Sequence, residues 1–254
     1  MVDAEVERER IELALANSVR WCDTICRAHG IPGRIEASCW SNPRVVPRFY
    51  PNLITLDERS GEAQRAEIQT LIESAFAPAW GVKDSFACLD LNDLGFRKLF
   101  DARWIWRAAE APLPKDDSGV VWSTVDGARQ LEIWEAAWGN HDTNASAPIA
   151  GALPRVFPAE LLDDPDAVFL AGRSRDSITA VAIANRSDDV VGVSNVFALR
   201  GETERCWAGC VRAVEKRFPK LPMVGYQRGN DLASAQSVGF ESVGPLRVWL
   251  RATD

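Results

Sequence analysis

Gly95–Ala108 reads GFRKLFDARWIWRA, and about 144 residues later Gly239–Ala252 reads GFESVGPLRVWLRA, aligned without a gap. The opening glycine and phenylalanine, two arginines and the final alanine coincide in the two copies. Each copy also ends a similar series of elements, in which a long helix finishes on a phenylalanine. Because internal repetition changes how the rest of a chain is interpreted, the sequence predicts two related halves.

The patterns before the first copy predict only part of that series. Apolar residues at three- and four-residue intervals indicate helices, and short apolar or alternating runs between turn residues indicate strands. Helices are predicted over residues 4–29 and 61–76, and strands over 34–40, 52–56, 80–86 and 102–108. The series is matched only from residue 52 onward, so the first half is interpreted as a truncated or remodelled copy.

The second half begins after a linker over residues 109–119, which holds two prolines and a polar run. Beyond the linker, three consecutive strands with polar turns predict an antiparallel meander, and helices and strands then alternate to the end. The predicted strands are 120–125, 168–173, 178–185, 190–199, 223–226 and 246–250, and the predicted helices are 126–138, 202–218 and 231–238. The predicted domains are therefore residues 1–112 and 118–254.

Composition excludes several classes of function. The chain has 46% hydrophobic and 26% charged residues and a net charge of −7, and no run of lysine and arginine favours a nucleic-acid partner. No stretch approaches the roughly 18–20 apolar residues of a membrane span, and the charged N-terminus is unlike a signal peptide. Six scattered cysteines and two histidines predict no metal site and indicate the reducing cytoplasm.

The order of elements resembles the GNAT superfamily of acyl-CoA-dependent N-acetyltransferases, well over residues 118–254 and weakly over 52–108. The most specific match is Val224-Gly225-Tyr226-Gln227-Arg228-Gly229-Asn230, followed by Ala233 and by Gly239-Phe240. These residues look like the family's fifth strand, the asparagine that opens its last long helix, and the turn before its final hairpin. The resemblance implies an α+β fold, with a mixed sheet flanked by helices and two related halves.

The resemblance also implies a binding site for acetyl-CoA as cosubstrate. In such folds the fourth and fifth strands separate, here 193–199 and 223–226, and the pantetheine arm pairs with the freed backbone. The pyrophosphate would lie on the N-terminus of the next helix, and an amide near Val196 or Phe197 would polarise the thioester carbonyl. The implied cofactor-binding residues are Val196, Phe197, Ala198, Leu199, Arg200, Gly201, Thr203, Glu204, Arg205 and Asn230.

The phosphate-binding loop departs from the family pattern. Thr203 stands where the family has its first glycine, and Arg205 stands at the second small position. Glu202 and Glu204 flank the same place and oppose a polyphosphate, while Arg200 and Arg205 partly offset them. The altered loop therefore leaves the binding of CoA open.

The catalytic groups depart from the pattern as well. The family's frequent tyrosine acid would fall at Ala235 in this sequence. Tyr226 is the nearby phenol, and it is either the proton donor to the leaving thiolate or a core residue with a satisfied hydroxyl. The fourth strand offers Ser194 and Asn195 rather than a carboxylate, so the sequence identifies no general base.

Two tryptophans stand four residues apart on the helix where GNAT proteins commonly bind the acceptor. Trp134 and Trp138 either wall an acceptor pocket or form a hydrophobic face that packs on the sheet. His141, in the polar loop after this helix, is either a base or a solvated residue.

The leading interpretation is a cytoplasmic N-acetyltransferase that moves an acetyl group from acetyl-CoA to a primary amine of a small molecule or peptide. The alternative is a catalytically silent, GNAT-derived protein that uses the same cleft to bind a ligand or partner, since a fold alone does not determine function. A homodimer is left open by the sequence.

Overall fold

The computed structural model describes residues 2–139, 155–175, 177–199 and 203–252. In chain order the elements are α1 (Val2–Ala28), β1 (Arg34–Ile35), β2 (Cys39–Ser41), β3 (Leu53–Thr55), α2 (Gly61–Ser74), β4 (Ala79–Asp84), β5 (Phe96–Arg107), β6 (Val121–Thr124), α3 (Ala128–Gly139), β7 (Ala167–Ser174), β8 (Ser177–Ser187), β9 (Val190–Ala198), α4 (Thr203–Arg217), β10 (Met223–Gln227), α5 (Gly229–Ser237) and β11 (Glu241–Ala252). Among the described helices, none combines the length and apolarity that crossing a bilayer requires.

The chain divides into two compact units that are discontinuous in sequence. The first falls within Met1–Ser18, Arg103–Ser146 and Phe157–Val243, and the second within Val19–Ala102, Ala147–Val156 and Gly244–Asp254. The boundaries of these units fall at other points of the chain than the boundaries of the predicted segments 1–112 and 118–254. The predicted segments, and the descent of the two halves from one copy, stay predictions.

The first unit is a mixed sheet with helices on both faces. Its strands lie in the order β5-β10-β9-β8-β7-β6, and β9 and β10 are its parallel neighbours, joined by the crossover helix α4. Valines 191, 193 and 196 of β9 pack in one core with Trp207 of α4. On the other face, Trp134 of α3 packs edge-on against Phe169 of β7, with ring centroids 5.1 Å apart.

The second unit repeats the parallel crossover in a smaller form. Its strands lie in the order β1-β2-β3-β4-β11, and α2 connects the parallel neighbours β3 and β4. Ile68 and Leu71 of α2 are buried against Val82 and Trp80 of β4. Trp80 packs edge-on against Phe96 at 4.9 Å between ring centroids.

The two repeated passages adopt the same turn. The φ angles of Gly95 and Gly239 are 79° and 93°, in the left-handed region where glycine meets no steric penalty. The Gly95 N–H donates to the carbonyl of Asn92, three positions earlier, and the Phe96 N–H donates to the carbonyl of Leu91, five positions earlier. Gly239 and Phe240 make the same pair of bonds at the same spacing, which is the pattern of a Schellman-type helix end.

The closing strands differ from the sequence-based expectation. We expected 102–108 to close the first half and 246–250 the second, but β10 pairs with Arg103–Arg107 of β5, and β4 pairs with Arg247–Ala252 of β11. Each compact unit is thus completed by the strand of the other copy. The physical reason is that both strands carry similar residues at matched positions, so local periodicity does not specify which of two similar partners a strand pairs with.

An arginine of each closing strand marks this exchange. Arg107 and its counterpart in the repeat, Arg251, occupy equivalent positions of the two copies. Arg107 Nε donates to the carbonyl of Val238, directly before the second copy's glycine, at 3.0 Å. Arg251 Nε donates to the carbonyl of Leu94, directly before the first copy's glycine, at 3.3 Å.

Candidate functional site

In the first unit the parallel strands β9 and β10 separate partway along their length. They pair only at Val191 with Met223 and at Gly192 with Val224. Beyond these pairs β10 continues to Gln227 alongside β5, and β9 continues to Ala198 alongside β8. The predicted opening between these strands is therefore confirmed. We call the space between residues 194–198 and residues 225–227 the β9–β10 cleft.

A glycine lies where the two strands separate. A Cβ atom at Gly225 would lie 2.6 Å from the carbonyl oxygen of Val193, which is closer than real Cβ contacts allow. The close backbone approach therefore requires glycine at this point. It fixes the closed end of the cleft.

A β-bulge turns β9 away from its neighbour. Ser194 pairs with Ile183 and Phe197 pairs with Val181, so that two residues of β9 stand opposite one residue of β8. One of the two, Asn195, has a φ of 54°, a left-handed conformation that asparagine adopts more readily than most residues. Bulges of this kind bend a strand and increase its twist, which opens the cleft.

Hydrogen bonding to β8 determines which peptide groups of β9 face the cleft. The Leu199 N–H donates to the carbonyl of Thr179 at 2.8 Å. In an antiparallel pair, hydrogen-bonded positions alternate with positions whose peptide groups point the other way. The peptide groups of Phe197 and Leu199 therefore face β8, and that of Ala198 faces the cleft. Of the two amides predicted to polarise the thioester, that of Phe197 therefore faces away from the cleft, and the role of Val196 stays a prediction.

The two predicted acceptor-binding tryptophans have different surroundings. Trp134 is fully buried and donates from Nε1 to the carbonyl of Leu170 at 2.8 Å, so its side chain is part of the core. Trp138 is half-buried, and its Nε1 donates to Oδ1 of Asn195 at 3.1 Å. The two indoles stack with centroids 6.4 Å apart and planes 12° apart. Only Trp138 contacts the bulge at the cleft.

Tyr226, the predicted catalytic residue, lies on β10 beside the cleft. It is half-buried, and its ring packs edge-on against Trp104 of β5, its direct partner across the strands, at 5.8 Å. The next residue of β5, Ile105, packs in the core on the α4 face. Because side chains alternate along a strand, Tyr226 projects from the opposite face, where Trp138 also meets the sheet.

The predicted pyrophosphate site lies at the start of α4. Arg200 and Gly201 lie outside the described residues, while Thr203, Glu204 and Arg205 form the helix's first turn. Asn230 is the second residue of α5, and it lies one residue before the predicted start of this helix at residue 231. His141 lies outside the described residues as well. The roles predicted for all these residues stay predictions.

The hydrogen bond from Trp138 to Asn195 is the part of the site that sequence reasoning missed. A signal for it exists, because Ser194 and Asn195 interrupt an otherwise apolar strand. Asparagine inside a strand is a residue that tolerates the left-handed conformation of a bulge. The partner on a helix 57 positions away has no such local signal.

Comparison with known proteins identifies the fold. A GCN5-related N-acetyltransferase from Kribbella flavida aligns at a TM-score of 0.61 and 14% identity, covering 92% of this chain and 95% of that one. A conserved protein of unknown function from Staphylococcus epidermidis aligns at 0.61 and 10%, covering 87% and 93%. A GCN5-related N-acetyltransferase from Sphaerobacter thermophilus aligns at 0.54 and 14%, covering 85% and 77%. No protein-family model matches the sequence, and no curated protein does.

These likenesses confirm the predicted α+β GNAT-like sheet with flanking helices. The first two extend over nearly the whole chain, so the shared architecture includes the part that the sequence resembled only weakly. At such low identity the comparison establishes the fold and not the chemistry.

Proposed function

We propose that the protein transfers an acetyl group from acetyl-CoA to a primary amine of a small molecule or peptide. The observation that carries the proposal is the β9–β10 cleft, in which a strand edge with peptide groups directed outward ends just before the N-terminus of a long helix. A strand edge can pair with an extended amide-bearing chain, and pantetheine is such a chain. A helix N-terminus favours the negative charge of a pyrophosphate.

In this proposal the chain's own groups position the reactants. The pantetheine arm lies along β9 and accepts and donates hydrogen bonds at Val196 and Ala198. The amide of Val196 donates to the thioester oxygen as negative charge develops on it, which is the largest single contribution that such sites make. The phosphates lie against the first turn of α4, with Arg200 and Arg205 offsetting Glu202 and Glu204.

The transfer itself requires one proton donor. The neutral amine attacks the thioester carbonyl carbon, the carbon–sulfur bond breaks, and the thiolate takes a proton from the Tyr226 hydroxyl. The proton that the amine loses passes to solvent, because the sequence offers no base, and solvent returns a proton to the Tyr226 phenolate, so that the donor is restored. The acceptor would approach from the face of Trp138 and Tyr226, opposite α4.

A second function, binding without acetyl transfer, is favoured by a specific observation. Ala235, at the position of the family's tyrosine acid, is fully buried in the core around α4. No hydroxyl is therefore available at that point. A protein that keeps the cleft and lacks this acid could bind a ligand without turning it over.

The test begins with thermal unfolding in the presence of acetyl-CoA. If the Kd is about 10 µM, 1 mM acetyl-CoA stabilises the native state by about 2.7 kcal/mol, and the midpoint rises. The double variant Arg200→Glu with Arg205→Glu should lose this rise, and persistence of the rise would mean that the phosphates bind elsewhere. Absence of any rise with acetyl-CoA and with CoA would refute the proposal.

A thiol-release assay with a panel of amines then separates the two functions. Tyr226→Phe should leave the acetyl-CoA-dependent rise in midpoint unchanged and lower the rate of thiol release by about 10²-fold or more. Tyr50→Phe is the matched control, because Tyr50 is the chain's only other tyrosine and belongs to the second unit. Tight binding without thiol release from any amine would favour the binding function.

A further inference from the structure

The bulge residue Asn195 is held by hydrogen bonds on both sides of its amide. Its Oδ1 accepts from Trp138 Nε1 at 3.1 Å, and its Nδ2 donates to Ser194 Oγ at 3.2 Å. A non-glycine residue at a φ of 54° carries a conformational penalty, and such a conformation persists where the surroundings over-determine it. Here the two side-chain bonds supply that constraint.

The orientation of the Trp138 indole is itself fixed by aromatic neighbours. One face stacks on Trp134, and Phe157 meets the ring at 71° with centroids 5.2 Å apart. Trp134 is anchored in turn by its own bond to β7. The α3 helix therefore delivers one indole N–H to a defined point on β9.

The bulge controls which way the following peptide groups point. Side chains and peptide groups alternate with a period of two along a strand, so removal of one bulge residue would reverse the direction of the next peptides. Phe197 and Leu199 face β8 only because two residues are accommodated opposite one at Asn195. A regular β9 would turn the peptide groups of Val196 and Ala198 toward β8 and away from the cleft.

We propose that Trp138 is a positioning residue that acts through Asn195 to hold the acyl-CoA-binding edge of β9 facing the cleft. The inference rests on the proposed function for the identity of the ligand. It assigns Trp138 a role distinct from walling an acceptor pocket, because its polar atom is bonded to the bulge. The reacting atoms are contacted by the strand, and Trp138 determines the strand's geometry.

The chain provides a matched pair of variants for the test. Trp138→Phe and Trp134→Phe each remove one indole N–H from the same helix and keep an aromatic ring in the same stack. Only the first removes a bond to the bulge, since the second removes the bond to Leu170. The quantities measured are the Kd for CoA by calorimetry, the thermal midpoint, and the hydrogen exchange of the Phe197 and Leu199 amides.

We expect Trp138→Phe to raise the Kd for CoA about five- to tenfold, the equivalent of one lost hydrogen bond, and to speed exchange at Phe197 and Leu199. Trp134→Phe should lower the thermal midpoint at least as much while changing the Kd less than about twofold. Asn195→Gly should bind CoA better than Asn195→Ala, because glycine adopts the left-handed conformation without penalty.

Two outcomes would overturn the inference. One is an equal loss of CoA affinity in the two tryptophan variants, which would mean that stability alone matters. The other is unchanged Kd and unchanged exchange in Trp138→Phe. If the wild-type protein binds no CoA, the proposed function fails by itself, and the exchange comparison between the variants still decides whether Trp138 holds the bulge.

Discussion

Replacing Arg107 by methionine perturbs a buried cation that ties the second repeated turn to the end of β5. The side chain is 1% exposed, and burial holds the pKa of its guanidinium below the usual value while Glu215 partly offsets this effect. Its Nε donates to the carbonyl of Val238, and its Nη2 donates to the carbonyls of Ala111 at 3.1 Å and Pro112 at 2.7 Å. The substitution removes all three bonds and keeps a side chain of similar length.

The magnitude follows from where the three acceptors lie. The carbonyl of the buried Val238 would be left without a donor at a cost of about 2 kcal/mol, and the two loop carbonyls can turn to water at about 0.5–1 kcal/mol each. Two effects offset these losses by about 1 kcal/mol in total, because the variant removes a desolvated charge and the methionine side chain fills the vacated space well. The net loss is about 2–3 kcal/mol, which for a chain of this size lowers the midpoint by about 4–12 °C.

The matched control is Arg251→Met at the equivalent position of the other copy. Arg251 is half-buried and makes one longer bond, to Leu94 at 3.3 Å, so its loss should cost about 0.5 kcal/mol. Urea unfolding followed by circular dichroism measures both variants against the wild type. Equal effects in the two variants, or a loss below about 0.5 kcal/mol for Arg107→Met, would refute the argument from burial.

Three further predictions concern packing, pH and thiol access. Gly209→Ala should destabilise the protein by about 1–3 kcal/mol in chemical unfolding, because the new Cβ would lie 2.3 Å from Nε1 of Trp122. The control is Gly127→Ala, whose new Cβ would meet nothing within 4 Å. Equal losses of stability in the two variants would contradict the packing argument. Burial raises the pKa of Asp84 above the ordinary value of 3.8, so protonation of this carboxyl favours the folded state. The resulting stabilisation is fully present at a pH below the ordinary pKa and is lost as the pH rises through the raised pKa of the folded state. The free energy of unfolding of wild type minus Asp84→Asn should therefore fall with rising pH, and a flat difference would count against the burial argument. A thiol reagent should label Cys88 in the native protein and all six cysteines after denaturation, because the other five are buried; native labelling of more than one thiol would show that the core opens.

The sequence predicts the architecture where it is determined locally. The β9–α4–β10 crossover follows from a short apolar strand, an amphipathic helix and a second apolar strand, and such a unit has one favoured handedness and places its strands in parallel. The opening between the strands was predicted through the family resemblance, and Gly225 marks its closed end, where the two backbones approach closely. These features involve residues close together along the chain.

Features that depend on distant partners could not be predicted in the same way. The exchange of closing strands depends on a choice between two copies whose sequences match at the glycine, the phenylalanine, both arginines and the alanine. The bulge at Asn195 depends on an indole from α3. Periodicity identifies the face of an element but not the identity of its partner.

Two adjacent charged residues of β4, Lys83 and Asp84, are both buried. Charged residues are mostly exposed in folded proteins, so composition alone does not predict this burial. Adjacent strand residues point to opposite faces of a sheet. Because both side chains are buried, both faces of the sheet are covered at this point of β4. Asp84 accepts hydrogen bonds from the backbone N–H groups of Cys88 and Leu89, which lets a carboxylate occupy such a position.

In the GNAT proteins that the sequence resembles, a frequent tyrosine acid would fall at Ala235, and the structure gives a physical reason why this chain has no tyrosine there. Ala235 is fully buried, and its carbonyl accepts the N–H groups of Val238 and Phe240, which form the turn before β11. A tyrosine ring at this position would displace the core that supports the turn, and overpacking of this kind destabilises a fold. The proton donor, if the protein catalyses transfer, must therefore come from another element that borders the cleft. Of the described elements at the cleft, β10 supplies a phenol, and this is why the proposed mechanism depends on Tyr226.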